Sequence, residues 1–137
     1  MLLIFSNAGA VWAHGDVTPQ PVNTDTLEPL GEEWLEENPY SGDEVAIAVG
    51  SSAYNSNCAR CHGLEAVSGG ITPDLRKLND MTDWESAAEV NEWYLQRVRE
   101  GAVVNGRYLM PPFEQILNQE AIWAIKAYLE TRDPDEN

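Results

Sequence analysis

The two cysteines of this chain, Cys58 and Cys61, stand in the pentapeptide CARCH, which ends in His62. This spacing is a specific signal for the attachment of a c-type haem. Two thiols three positions apart at the end of a helix can each add to one vinyl group on the same porphyrin edge. The next side chain then points its imidazole at the iron. The motif therefore predicts one covalent haem c, whose apolar surface would complete the thin core of a short helical chain.

The motif is also compatible with three other kinds of site. A thioredoxin-like dithiol requires a βαβ context, and the sequence shows none. A structural disulfide fits an oxidising compartment but leaves the adjacent histidine unexplained. A structural zinc site usually needs four ligands, and the Cys and His residues available are Cys58, Cys61, His62 and His14. Haem attachment accounts for all three residues of the motif, and we favour it.

The sixth ligand of the iron decides between carrying electrons and binding small molecules. Thioethers come from Met1, Met81 and Met110. Met110 lies in RYLMPPF, where two prolines stiffen the loop that must reach the porphyrin. We predict His62 and Met110 as the axial pair, which raises the reduction potential relative to bis-histidine ligation and leaves no open position. The alternatives are a methionine that merely fills the core and a five-coordinate haem sensor.

An axial histidine needs its second ring nitrogen held by a hydrogen bond. The carbonyl of Pro73, in GGITPDL, is the candidate partner for His62, although Pro73 could equally serve only to shape a turn. Arginines pair well with carboxylates. Candidate partners for the haem propionates, against the alternative of ordinary surface charges, are Arg97, Arg99 and Arg107.

The formal net charge of −15 excludes a nucleic-acid partner, which would require a basic surface. Residues 1–13, MLLIFSNAGAVWA, are uncharged and end in a small-x-small triplet, so we expect a signal peptide whose true start lies upstream, and export to the periplasm. The apolar stretch is shorter than the about 20 residues that span a bilayer, so no permanent membrane span is expected.

The charge is unevenly distributed, because every basic residue lies at or after Arg60. Residues 14–42 contain four prolines and many acids, which predicts an extended acidic arm anchored to the domain by Trp34 and Leu35. The arm either keeps the protein solvated or steers a partner with a basic or neutral rim.

Apolar periodicity predicts an all-α protein. We expect helices over 43–57, over Trp84–Glu100 with Gly101 at its end, and over 119–131, with a short helix over 113–117. The intervening segments are predicted as loops, and no strand pattern is recognised.

The chain resembles the cytochrome c-550 proteins that accept electrons from periplasmic quinoprotein alcohol dehydrogenases, which depend on pyrroloquinoline quinone (PQQ). The matching stretches are HGDVTPQPV, LEPLGEEW, NCARCHGLEAVSGGITPDLRKL, YLMPPFEQIL and AIWAIKAYLETR. The resemblance implies a class I cytochrome c fold, with loops around one haem and the helix of Gly50 and Tyr54 crossing the last helix near Tyr128. It assigns 43–133 to the cytochrome domain and 134–137 to a tail.

By the same resemblance the protein is a soluble, monomeric periplasmic carrier and not an enzyme. Its electron donor would be a PQQ-dependent alcohol dehydrogenase, and its acceptor a terminal oxidase or another cytochrome. Related cytochromes serve methanol dehydrogenases, which spacing alone does not separate. The segment between Leu78 and Trp93 is shorter than the resemblance leads us to expect, which leaves any partner contact there open.

Overall fold

The first helix begins where the sequence supplies a capping carboxylate. The structure is a computed structural model that describes residues 18–135, so the predicted signal peptide and His14 lie outside the described residues. Asp43 Oδ1 accepts hydrogen bonds from the amides of Val45 and Ala46 at 2.9 and 3.0 Å. Such a cap satisfies amides that have no partner within the helix. The elements are α1 (Glu44–Asn57), α2 (Ala59–His62), α3 (Ala87–Glu100), β1 (Ala102–Val104), β2 (Arg107–Met110) and α4 (Gln119–Leu129).

Helices α1 and α4 pack closely because a glycine lies at their contact. A Cβ on Gly50 would overlap the carbonyl group of Ala124, so only glycine permits this approach. One helical turn later, the rings of Tyr54 and Tyr128 lie 5.3 Å apart between centroids. The helix crossing implied by the resemblance is therefore confirmed. Residues 121–129 of α4 are all buried, which makes this helix the centre of the core.

Helix α3 begins later than predicted. The sequence prediction started it at Trp84, but Ser86 is the N-cap, and its Oγ accepts from the amide of Glu89 at 3.2 Å. The Ser86 hydroxyl accepts from the third amide of the helix, a donor without a partner inside the helix, so the helix begins after this residue. The predicted end is correct, because Gly101 adopts φ 74 there. The hydroxyl of Tyr94 donates to Ile122 O at 2.7 Å and joins α3 to α4.

A β-hairpin replaces part of a predicted loop, so the expectation of no strands was wrong. Strands β1 and β2 pair antiparallel, with Val104 opposite Arg107. The two residues between them are Asn105 and Gly106, with φ 50 and 75. Asn-Gly is the preferred pair for a two-residue turn with positive φ, and this signal was overlooked because the flanking strands are short.

Two smaller boundaries also differ from prediction. Residues 113–117 form a hydrogen-bonded turn and no helix, although Phe113 O accepts from the amides of Ile116 and Leu117 at 3.0 and 2.8 Å. The turn ends because Asn118 adopts an extended backbone, with ψ 173, and caps α4. Helix α4 ends at Leu129, two residues before the predicted end.

Residues 18–42 form turns and extended chain that lie against α1 and α4. The amide of Leu30 donates to Glu120 Oε1 at 2.9 Å, and that of Leu35 to Gln119 Oε1 at 2.7 Å. Trp34 packs against the core as predicted, whereas Leu35 is attached through its backbone, and its side chain is exposed. Among residues 18–135, no helix is both long and apolar enough to cross a bilayer.

Candidate haem site

The CARCH motif lies at the junction of α1 and α2. Cys58 O accepts from the amides of Cys61 and His62 at 3.2 and 2.9 Å, so the motif forms one tight helical turn. Neither sulfur is in a disulfide, and Cys61 is exposed. Burial, with a smaller contribution from Cys61, raises the pKa of Cys58 to about 12.

The ring of His62 is oriented by the loop that follows it. Nδ1 of His62 lies 3.0 Å from Pro73 O, which is the hydrogen bond that the sequence suggested. With Nδ1 as the donor, Nε2 is left free to bind a metal. Burial lowers the pKa of His62, with the Pro73 hydrogen bond opposing this effect. The imidazole is therefore held neutral, which is the form that ligates iron.

Two polar side chains shape this loop through contacts that the sequence did not predict. Thr72 Oγ1 donates to Cys61 O at 2.7 Å and brings Pro73 back to the motif. The Tyr54 hydroxyl donates to Gly63 O at 2.7 Å, immediately after the histidine. Neither contact has a local sequence signal, because the partners meet only when the chain folds back on itself.

Met110 lies on a different element from His62. It ends β2, is half-buried and packs against the core. A Cβ on Gly101 would overlap the backbone of 110–112, so this glycine lets the methionine segment lie against the end of α3. The amide of Phe113 then donates to Val98 O at 3.0 Å and fixes the far side of the two prolines. The structure thus holds Met110 firmly while placing it on a separate element from His62.

The surroundings of these donors fit a porphyrin. Large apolar side chains are exposed on the segment after the motif, with Ile71 99 % exposed, and on the hairpin before Met110, with Leu109 69 % exposed. Large apolar side chains that are this exposed are available for contact with an apolar ligand. The full set is Leu64, Val67, Ile71, Val103, Val104, Tyr108 and Leu109. Two thiols, an imidazole and a thioether are the donor types that a haem c requires, and these apolar side chains are of the kind that would contact its ring.

The three arginines considered for the propionates differ in their surroundings. Arg99 pairs with Glu114 at 2.7 Å and stacks over the Trp34 ring at 4.2 Å. Arg97 lies over the Trp93 ring at 5.5 Å and donates to Gly101 O at 3.4 Å. The third, on β2, is exposed. Two of the candidates therefore already bind protein groups.

Comparison with known proteins places this site in a family. Residues 45–129 match the family of cytochrome c oxidase, cbb3-type, subunit III. Cytochrome c550 of Pseudomonas aeruginosa is 53 % identical over 128 residues, which cover 90 % of this chain and 84 % of that protein. No solved structure matches the chain.

Two enzymes of Pseudomonas putida share only part of their length with the chain. The quinohemoprotein alcohol dehydrogenase ADH-IIG is 36 % identical over 95 residues, 69 % of this chain and 12 % of the enzyme. The quinohemoprotein alcohol dehydrogenase ADH IIB is 31 % identical over 98 residues, 72 % of this chain and 13 % of the enzyme. The similarity is thus confined to a small part of each enzyme.

The family agrees with the donor set found at the CARCH turn. A cytochrome c domain implies haem c, and the family carries electrons without catalysing a reaction of its own. The resemblance drawn from the sequence is confirmed, and the mostly helical fold agrees with it. This chain belongs to the c-type cytochromes of the cytochrome c550 family and is an electron carrier, not an enzyme.

Proposed function

We propose that the protein is a periplasmic carrier of single electrons from a PQQ-dependent alcohol dehydrogenase to a terminal oxidase or another cytochrome. It would hold one haem c, bound covalently through Cys58 and Cys61, with His62 and Met110 as axial ligands. The observation that carries the proposal is the 53 % identity to cytochrome c550 over most of both chains, with the CARCH turn intact.

Each residue of the site would have a separate role in holding the haem. Cys58 and Cys61 would anchor the porphyrin edge, and His62 would present Nε2 because Pro73 O occupies its other nitrogen. Met110 would close the sixth position with a thioether held in place by the end of α3. When bound, a haem with these ligands accepts and releases one electron without a change of ligands.

The identity of the donor is inferred from the relatives. Two proteins that share this similarity are named quinohemoprotein alcohol dehydrogenases, and they contain the similar segment within one long chain. A separate chain with the same domain would serve a separate dehydrogenase. Contacts between soluble redox partners are small and transient, since fast exchange of partners is needed.

Spectra of the purified, exported protein test the cofactor. We expect a pyridine haemochrome spectrum of c-type, one haem per chain, and pigment that resists extraction by acidified acetone. A colourless mature protein, or pigment lost to the solvent, contradicts the proposal. Carbon monoxide should bind the reduced protein slowly or not at all, whereas rapid stoichiometric binding would indicate a five-coordinate sensor.

Replacing the predicted sixth ligand tests the axial pair. Met110→Ala should lower the reduction potential and admit imidazole or carbon monoxide, while the covalent attachment persists. Met81→Ala is the matched control, because Met81 is 47 % exposed in a polar segment and should leave both properties unchanged. A native potential in the Met110 variant would show that another group binds the iron.

The partner is tested by mixing. A PQQ-dependent alcohol dehydrogenase with its alcohol should reduce the cytochrome rapidly in stopped-flow measurements. Gel filtration of the two proteins at moderate salt should show them running separately, as expected for a carrier. Co-elution would indicate a fixed subunit of the dehydrogenase.

A further inference from the structure

The turn after His62 adopts a backbone conformation that its residues do not favour. Glu65 and Ala66 have φ of 58 and 61, in the left-handed region that residues with a side chain rarely occupy. Neither is glycine, so the turn costs conformational free energy and persists only where surrounding contacts hold it. Ala66 is fully buried, so this turn forms part of the packed domain.

The contacts that hold this turn come from the end of α4. Arg132 Nη1 lies 2.5 Å from Glu65 Oε2, an ion pair between residues 67 positions apart. The guanidinium of Arg132 also lies over the Tyr128 ring, 5.1 Å from its centroid. Tyr128 in turn packs against Tyr54, whose hydroxyl donates to Gly63 O at 2.7 Å. The Tyr54 hydroxyl thus contacts the chain at Gly63, just before the strained turn, and Arg132, which lies over the Tyr128 ring, contacts the turn itself at Glu65.

The backbone of Arg132 is also held, by a hydrogen bond from Asn79. Asn79 Nδ2 donates to Arg132 O at 2.7 Å and to Leu129 O at 2.8 Å. These bonds fix the backbone just after α4 ends. The backbone of Arg132 is therefore already ordered, so pairing with Glu65 costs the entropy of the side chain alone.

The turn is continuous with the loop that orients the histidine. Ser68 Oγ donates to Thr72 O at 2.6 Å, and Thr72 Oγ1 donates to Cys61 O at 2.7 Å. The loop then delivers Pro73 O to His62 Nδ1 at 3.0 Å. Glu65 and Pro73 thus belong to one short loop that these hydrogen bonds close onto the motif.

We propose that Arg132 is a positioning residue for His62, acting through Glu65 to hold the strained turn from which the histidine loop is built. The consequence for the iron rests on the proposed function, in which His62 is the axial ligand. The Arg132–Glu65 pair itself is a property of the chain, and it predicts local protection of the loop.

Hydrogen exchange of the haem-loaded protein, followed by NMR, tests the proposal. The amides of Gly63 and Val67 donate to Ala59 O and Leu64 O at 2.8 and 3.0 Å and report on the turn. Arg132→Gln should accelerate their exchange about tenfold, equivalent to about 1.4 kcal/mol, as expected from losing one partly exposed ion pair and one cation–π contact. The proton on His62 Nδ1 should also exchange faster.

A second variant and a matched control separate positioning from general loss of stability. Glu65→Gln should accelerate the same amides, and the double variant should be no faster than the faster single variant. Arg99→Gln removes an equivalent pair, with Glu114 at 2.7 Å, and an equivalent stack, over Trp34 at 4.2 Å. That control should leave the Gly63 and Val67 amides unchanged.

Specific outcomes overturn the proposal. Unchanged exchange in both single variants, additive effects in the double variant, or equal acceleration in the Arg99 control would each show that Arg132 does not position the loop. The pyridine haemochrome spectrum of the wild type tests the proposed function separately. A colourless wild type contradicts that function, whereas haem-loaded protein with unchanged exchange contradicts the role of Arg132.

Discussion

Replacing Gly50 by alanine tests the helix crossing that organises the core. Gly50 is buried at the contact of α1 and α4. An added Cβ would overlap the carbonyl of Ala124 and would lie 3.0 Å from the amide nitrogen of Ile125. Both are backbone atoms of a fully buried helix, so the strain cannot be relieved by a side-chain rotation. The helices must separate, and the packing of Tyr54 on Tyr128 beside them must adjust.

Two opposing terms set the expected size of the effect. Overpacking a core typically costs about 1–3 kcal/mol, and contact with backbone atoms favours the upper end. Alanine regains about 1 kcal/mol because it favours the helix more than glycine does. The net expectation is a loss of about 2 kcal/mol from a total stability of about 5–15 kcal/mol.

Urea unfolding of the haem-loaded protein, followed by circular dichroism, measures this loss. With a slope of about 2 kcal/mol per molar urea, the midpoint should fall by about 1 M. Gly69→Ala is the control, since nothing lies within 4 Å of a Cβ built there, and it should leave the midpoint unchanged or slightly raised. If Gly50→Ala were as stable as the wild type, or more stable, the close helix contact would not be present in solution.

Three further predictions follow from particular contacts. Reduction of the cytochrome by the proposed partner, a PQQ-dependent alcohol dehydrogenase, should slow as ionic strength rises if the acidic segment steers the encounter, and stopped-flow rates that do not change with salt would contradict steering. Tyr94→Phe removes the buried hydrogen bond to Ile122 O and should cost about 1 kcal/mol in urea unfolding, and an unchanged midpoint would contradict that bond. Hydrogen bonding and pairing with Arg76, at 2.8 Å, hold the pKa of Asp74 below its usual 3.8, so this stabilisation is present above about pH 4 and is lost as the pH falls through the lowered folded-state value. Asp74→Asn should therefore reduce stability near neutral pH and flatten its decline in acid, and an unchanged pH profile would contradict the pairing.

Much of the local structure was predictable because its causes are local. Asp43 caps α1 and Gly101 ends α3 through hydrogen bonds and φ angles set within a few residues. The hairpin also has a local cause, since Asn105 and Gly106 favour a two-residue turn with positive φ. The prediction missed it because short strands carry little periodicity. The start of α3 was predicted at Trp84 and lies at Ala87, although Ser86 is itself a residue type that favours the N-cap.

The sequence by itself predicted haem attachment at Cys58, Cys61 and His62, because the motif is defined by residue types at a fixed short spacing. From the sequence, Pro73 could equally have been the hydrogen-bond partner of His62 or a residue that only shapes a turn. The tertiary structure decided between these roles, because Pro73 O lies within hydrogen-bonding distance of His62 Nδ1. It likewise brought Arg132 to Glu65 across 67 positions and set the acid-rich segment 18–42 against α4. Such contacts join distant parts of the chain, and their energy exists only once the core around α4 has formed, so no local pattern records them.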